Sequence, residues 1–150
     1  MKNAVLRIIL ISSILLLLIP LQPAFGQTPP INPTLYTLWP PNGGAIGQPL
    51  DECANLGSFA YALKVEPPSN GTFSSPTNTI TISSRTATTF DWSASAGIGA
   101  VIVKAGTSAN VWNYSPQAFS GTGHYSPVGP SGGRMDISHI TFCWNASTPT

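Results

Sequence analysis

The chain has 150 residues, a formal charge of +1 at neutral pH and 7% charged residues, against about 25% in ordinary soluble domains. That length suits one domain. Six basic side chains scattered along it build no patch able to neutralise several phosphates, which disfavours nucleic acid as a partner. Solubility rests on Ser, Thr, Asn and Gly, a composition found in exported β-proteins and compatible with surfaces that adhere or assemble.

Residues 1–26 read as an export signal. Lys2 and Arg7 form a positive end, Ile8 to Ile19 is an apolar run broken only by Ser12 and Ser13, and Ala24-Phe25-Gly26 offers small residues at a cleavage point. The run is shorter than the roughly 20 residues a membrane-spanning helix needs, so no span is expected after cleavage. Loss of the signal leaves Lys64, Arg85, Lys104 and Arg134 against Asp51, Glu52, Glu66, Asp91 and Asp136, a formal charge of −1. Export puts Cys53 and Cys143 in an oxidising compartment. A bridge between them is expected, with two buried thiols as the alternative.

Residues 27–50 carry six prolines and Gly43-Gly44 and are expected to form an extended arm. Within it Leu35 to Trp39 is an apolar island, either an edge segment across the domain or an exposed adhesive arm. From Phe59 to Glu66 apolar and polar or small residues alternate, with Phe59, Tyr61, Leu63 and Val65 on one face: a half-buried strand. Pro67-Pro68 stops it and Ser69-Asn70-Gly71 turns the chain. Thr79 to Ser83 is a second alternating strand with Ile80 and Ile82 inward. Arg85 to Trp92 is a third, with Phe90 and Trp92 on one face. Ser93 to Gly99 reads as a small-residue loop, Gly99 to Lys104 as a strand deep in a sheet, and Ala109 to Tyr114 as its hairpin partner. Ser115 to Gly133 reads as a long loop. Asp136 to Trp144 is the closing strand, apolar on both sides, and 147–150 is a tail. Helical spacing over three turns is absent. The pattern predicts an all-β fold, an antiparallel β-sandwich occupying 51–146 behind the signal helix and the Pro-rich arm.

Few residues carry chemistry. His139 shares a strand face with Ile137, Thr141 and Cys143 and could titrate, bind a metal or act as a base; its expected role is structural, as a hydrogen-bonded histidine. A hydrolase would need a nucleophile and an orienting carboxylate beside it, and Ser138 points the other way. His124, with His139 and Asp136, matches no known ligand spacing, and neither a metal nor a cofactor is expected. Asp91 is expected to cap a turn or pair with Lys104, calcium binding with Asp51 or Glu52 being the alternative; Lys104 reads as a surface charge on an apolar stem. Trp112, Tyr114, Tyr125 and Trp144, with Trp39, could stack on sugar rings where exposed and are core where buried. Asn70, Asn113 and Asn145 fit the glycosylation acceptor pattern.

The stretches Gly99-Ala-Val-Ile-Val-Lys-Ala-Gly106, Ala109-Asn-Val111 and Ile137-Ser-His-Ile-Thr-Phe-Cys143 resemble a module of secreted bacterial surface proteins, in which a "VIVKGG…AN" hairpin precedes a Gly/Pro-rich loop and an "LSHISFC" strand. Cys53, Val65-Glu-Pro-Pro68, Gly71-Thr72 and Phe90-Asp-Trp92 fit as well, so the likeness spans about residues 53–143. It implies an extracellular β-sandwich module without an established catalytic activity. Such modules often precede repeats or wall-anchoring tails, whereas this chain ends seven residues after Cys143; stand-alone secretion and a truncated larger surface protein both fit. The expected function is therefore a secreted, non-catalytic surface or matrix module that recognises an extracellular protein or glycan, or itself. A carbohydrate-binding module is the alternative, and a His-dependent hydrolase stands behind it.

Overall fold

The computed structural model describes residues 31–146; the expected export signal and the tail at 147–150 lie outside them. The described chain forms β1 (Thr34–Tyr36), α1 (Pro49–Ala54), β2 (Tyr61–Val65), β3 (Gly71–Ser74), β4 (Thr79–Ser83), β5 (Thr89–Ala105), β6 (Ser108–Tyr125) and β7 (His139–Trp144). No helix among the described residues is long and apolar enough to cross a membrane.

All seven strands belong to one antiparallel sheet built on β5. β6 runs along one edge of β5, from Ala105↔Ser108 at the hairpin turn to Thr89↔Tyr125 at the far end. The other edge of β5 is shared: its first half pairs with β4 and its second half with β7. β3 extends the β4 side, β2 extends the β7 side, and β1 pairs with the start of β6. The sheet thus forks into two wings, and the described residues form one continuous sheet where two separate sheets are expected from the sequence.

The fork sits where the β5–β6 register shifts, between Ser93 and Ile98 and again between Ile98 and Ala100. Bulges bend a strand and raise its twist, which lets one strand serve both wings. The small residues of 93–99 look like a loop in sequence, yet they belong to β5. Asn78 holds them in place: its Nδ2 donates to Ala96 O (3.0 Å), and its Oδ1 accepts from Ala96 N–H (2.9 Å) and Ser95 Oγ (3.1 Å). The expected loop from Ser115 is corrected in the same way, since β6 continues to Tyr125. Pro116 is tolerated because it lies between the pairs Ala100↔Asn113 and Ile98↔Ala118, where the ladder takes no donor from it. The third expected strand begins at Thr89, not Arg85. Thr86 Oγ1 accepts the N–H groups of Thr88 and Thr89, making a turn of the Thr-rich run.

The wings close over one core. Ile80 and Ile82 of β4, Phe90 and Trp92 of β5, and Ile140, Phe142 and Trp144 of β7 share a cluster. The rings of Trp92 and Phe142, one from each wing, stand 5.7 Å apart edge to face. Each large apolar side chain so buried contributes about 1.5–3 kcal/mol. A second cluster lies on the other face of β7, β5 and β6, where Trp39, Cys53, Ala100, Ile102, Val111 and Cys143 meet. β7 is therefore buried on both faces, as expected for the closing strand. Its even-numbered residues enter the main core and its odd-numbered ones face the second cluster. The strand starts at His139, and Ile137, ahead of it, joins the main core and not the His139 face.

Chain ahead of β2 covers the second cluster. Trp39 is buried while Leu35 and Leu38 are exposed, so the apolar island is an edge segment, held by Trp39 N–H to Thr107 O (2.7 Å). α1 starts with Pro49 in the first helical position, and Asp51 Oδ2 accepts the Gln48 N–H (3.3 Å). Asn55 Nδ2 ends the helix on Asp51 O (2.9 Å) and Glu52 O (3.3 Å). The boundary expected between 50 and 51 falls inside this helix. Cys53 of α1 is bonded to Cys143 of β7, with Cα atoms 5.7 Å apart, and no cysteine is free.

Candidate functional site

Three of the five aromatic residues singled out in the sequence converge. Trp112, Tyr114 and Tyr125, all on β6, line one cavity of about 120 Å³ together with His124. Trp112 and Tyr114 point into the main core by strand alternation. The β6 bulges then turn the strand so that His124 lands against them, its ring 4.4 Å from that of Trp112. Trp112, Tyr114 and His124 are buried and form the floor; Asn32, Ser120, Thr122 and Gly123 are exposed and form the rim. Arg134 stacks its guanidinium on the Tyr125 ring, 3.8 Å from the centroid, and donates to Ser126 O (2.8 Å).

The hydrogen bonds of His124 fix its chemical state. Trp92 Nε1, which can only donate, lies 3.2 Å from His124 Nε2, and Tyr114 Oη lies 2.6 Å from the same nitrogen. The Trp92 N–H thus makes Nε2 an acceptor, with the Tyr114 hydroxyl against the same nitrogen, and Nδ1 has no hydrogen-bond partner among the described residues. Burial pushes the imidazole pKa down to about 4, against the smaller opposing pull of Asp91, and burial pushes the Tyr114 hydroxyl up. Gly121 makes the arrangement possible. A Cβ there would lie 2.3 Å from His124 Cε1 and 2.6 Å from Trp92 Nε1, so only a glycine lets both rings lie against the backbone.

His139 belongs to a different group, on the second-cluster face of β7. Its Nε2 lies 2.7 Å from Oε1 of Glu52, and Thr141 Oγ1 donates to Glu52 Oε2 (2.8 Å). Lys64 Nζ bridges Glu52 Oε1 (3.4 Å) and Glu66 Oε2 (2.9 Å). Glu52 is fully buried. Burial raises its pKa, but His139, Thr141 and Lys64 together outweigh that and hold it below the usual carboxylate range. Sequence reasoning weighed Glu52 only as a calcium ligand. The available signal was its place beside Cys53, because a helix tied to a central strand carries its neighbouring side chain against that strand.

The remaining candidates are dispersed. Trp144 is buried and lines a separate apolar groove of about 330 Å³ with Tyr61, Leu50 and Pro76; its ring stacks on Tyr61 at 6.0 Å and its Nε1 donates to Thr77 Oγ1 (3.2 Å). Asp91 caps the Gly123 N–H (2.7 Å), opposite a β5–β6 bulge. Lys104 donates to Gly106 O at the hairpin turn, so the expected Asp91–Lys104 pair does not form: the two residues occupy opposite halves of β5. His124 and His139 likewise lie in different clusters, and the described residues contain no group of three or more His, Cys, Asp or Glu side chains placed to hold a metal.

The outer face of the β3–β4–β5–β6 wing carries hydroxyls in register. Thr72 pairs with Thr81, Thr81 with Ser93, and Ser93 with Ser120, a row across four strands with Thr72 and Thr81 hydroxyls 3.0 Å apart.

Compared with protein-family models, curated proteins and solved structures, the chain matches none.

Proposed function

We propose that the protein is a secreted, non-catalytic module of the cell surface or matrix that recognises an extracellular protein or glycan partner or assembles with itself. One observation carries the reading: the groups fit for acid–base work are engaged in the fold. His139 is 4% exposed and paired with a carboxylate that is 0% exposed. Nε2 of His124 is occupied by the Trp92 N–H and the Tyr114 hydroxyl in a site that disfavours charge. A hydrolase built on His139 would need its imidazole within reach of a substrate, and burial argues against that.

Other features agree. The disulfide suits an oxidising compartment, and the uncharged hydroxyl row and exposed apolar residues such as Leu38 suit a contact surface. The two wings over one core read as the layers of a β-sandwich, in keeping with the resemblance to bacterial surface modules.

The exported chain should therefore bind cells, matrix proteins or glycans saturably, or self-associate in sedimentation. A strictly monomeric protein that binds none of them would overturn the reading.

A further inference from the structure

We infer that the protein assembles with itself head to tail, the free edge of β1 in one copy adding to the free edge of β2 in the next. The inference rests on the self-assembly arm of the reading above and assigns it to two surfaces.

The acceptor is the apolar groove of about 330 Å³ beside Trp144. Ala60 and Ala62 line it from one face of the β2 chain and Tyr61 from the other. β7 holds one edge of β2, so a hollow that touches both faces passes across the other edge. Its walls are Pro49 and Leu50 of α1 and Pro76 and Thr77 of the β3–β4 turn. These contacts are open: Leu50 is 43% and Tyr61 36% exposed, and Ala60, Pro76 and Thr77 are exposed as well. Alternate N–H and C=O groups of β2 face away from β7, and no strand among the described residues takes them up. Such a row of backbone groups is a template for another strand. Lys64 does not guard it, being held by Glu52 and Glu66.

The donor is the opposite edge of the same wing, whose order is β2–β7–β5–β6–β1. Among the described residues β1 pairs only with β6. Leu35 on it is 52% exposed and Leu38, just beyond it, 66%, large apolar side chains that one copy leaves in water. No charged residue occurs from Gln27 to Leu50 and none lines the groove, so neither surface carries the lysines that keep sheet edges apart. Joining β1 to β1 would leave the groove unfilled, and joining β2 to β2 would leave Leu35 and Leu38 in water; joining β1 to β2 covers both. Neighbouring strands of the wing are antiparallel, so β1 and β2 run the same way and the new pair is parallel. Two different surfaces meet, and such contacts build rings or open rows.

The test is sedimentation of the full exported chain and of two variants at exposed positions. Leu35→Lys spoils the donor and Ala60→Arg the acceptor. The wild type should associate progressively as its concentration rises to about 1 mM, and each variant alone should weaken that association by about tenfold or more with the unfolding temperature unchanged. An equal mixture of the two variants should form a pair that grows no further, since one intact donor and one intact acceptor remain. Leu38→Lys and Leu50→Lys address the same two ends should either first variant prove unstable. A wild type that stays monomeric overturns the inference, as does association that either end's variants leave at wild-type strength, or a mixture that fails to pair. None of these failures sinks the wider recognition reading, because binding to cells, matrix proteins or glycans is measured separately.

Discussion

Oε1 of Glu52 lies 2.7 Å from Nε2 of His139, one residue from the disulfide on the helix side and four residues from it on β7. Glu52 is fully buried, and its carboxylate is stabilised by His139, Thr141 and Lys64 acting together. Removing one member of such a buried group leaves the others uncompensated. Glu52→Gln should cost about 3 kcal/mol in chemical denaturation. Glu66→Gln, which removes a carboxylate that is 56% exposed, should cost less than about 1 kcal/mol. Equal effects from the two variants would show that the buried pair contributes nothing special.

The bridge between Cys53 and Cys143 spans a sequence separation of 90. In the chain-entropy account, closing such a loop restricts the unfolded state by about 4–5 kcal/mol. The double variant Cys53→Ala with Cys143→Ala should lose stability of that order by urea titration while its far-UV spectrum stays β-rich, since both cores survive around the missing sulfurs. A loss under about 1 kcal/mol would place the stabilisation elsewhere.

His124 gives stability a dependence on pH whose sign follows from burial. Its folded pKa of about 4 lies below the 6.5 of an ordinary histidine, so the unfolded chain takes up the proton first as pH falls. The neutral ring's contribution is complete above about pH 6.5 and is lost as pH drops to about 4, a total of about 3 kcal/mol. Glu52, held below its usual range, adds a separate loss as pH falls through the carboxylate range. His124→Gln should be less stable at pH 7 and show a flatter profile between pH 7 and 4, with the Glu52 loss retained. Parallel profiles for the variant and wild type would contradict the assignment.

Gly121 and Gly123 should respond differently to alanine. At Gly121 the new methyl meets two buried rings, which cannot move aside in a packed core, and Gly121→Ala should cost about 1–3 kcal/mol and disturb the Trp92 indole resonance. At Gly123 the space is open and φ is +65°, so Gly123→Ala should cost only the backbone strain, about 1 kcal/mol, leaving that resonance in place. A silent Gly121→Ala would mean that the rings do not lie against the backbone as described.

The chain's local patterns were enough for its class. Period-two alternation marked β4 and β2, apolar residues on both sides of β7 announced a strand buried on both faces, and an expected export signal together with two cysteines pointed to the bridge. Short or locally unremarkable elements were illegible. β3 is only four residues beginning with a glycine, β1 lies among prolines, and α1 is too short for a helical period to register.

What the tertiary structure alone decided is the path of β5 and β6 and the company each polar group keeps. A run such as Ser93 to Gly99 has no strand preference of its own; it becomes strand because β4, β6 and the Asn78 side chain take up its backbone groups. His124 and Glu52 gained their roles in the same way, one by a bulged strand folding it against Trp112 and Tyr114, the other by a disulfide drawing its helix onto β7. Sequence alone fixes alternation, because side-chain direction in a strand is local. Pairing, bulges and buried charge depend on partners up to about 90 residues away, and those are set only when the sheet closes.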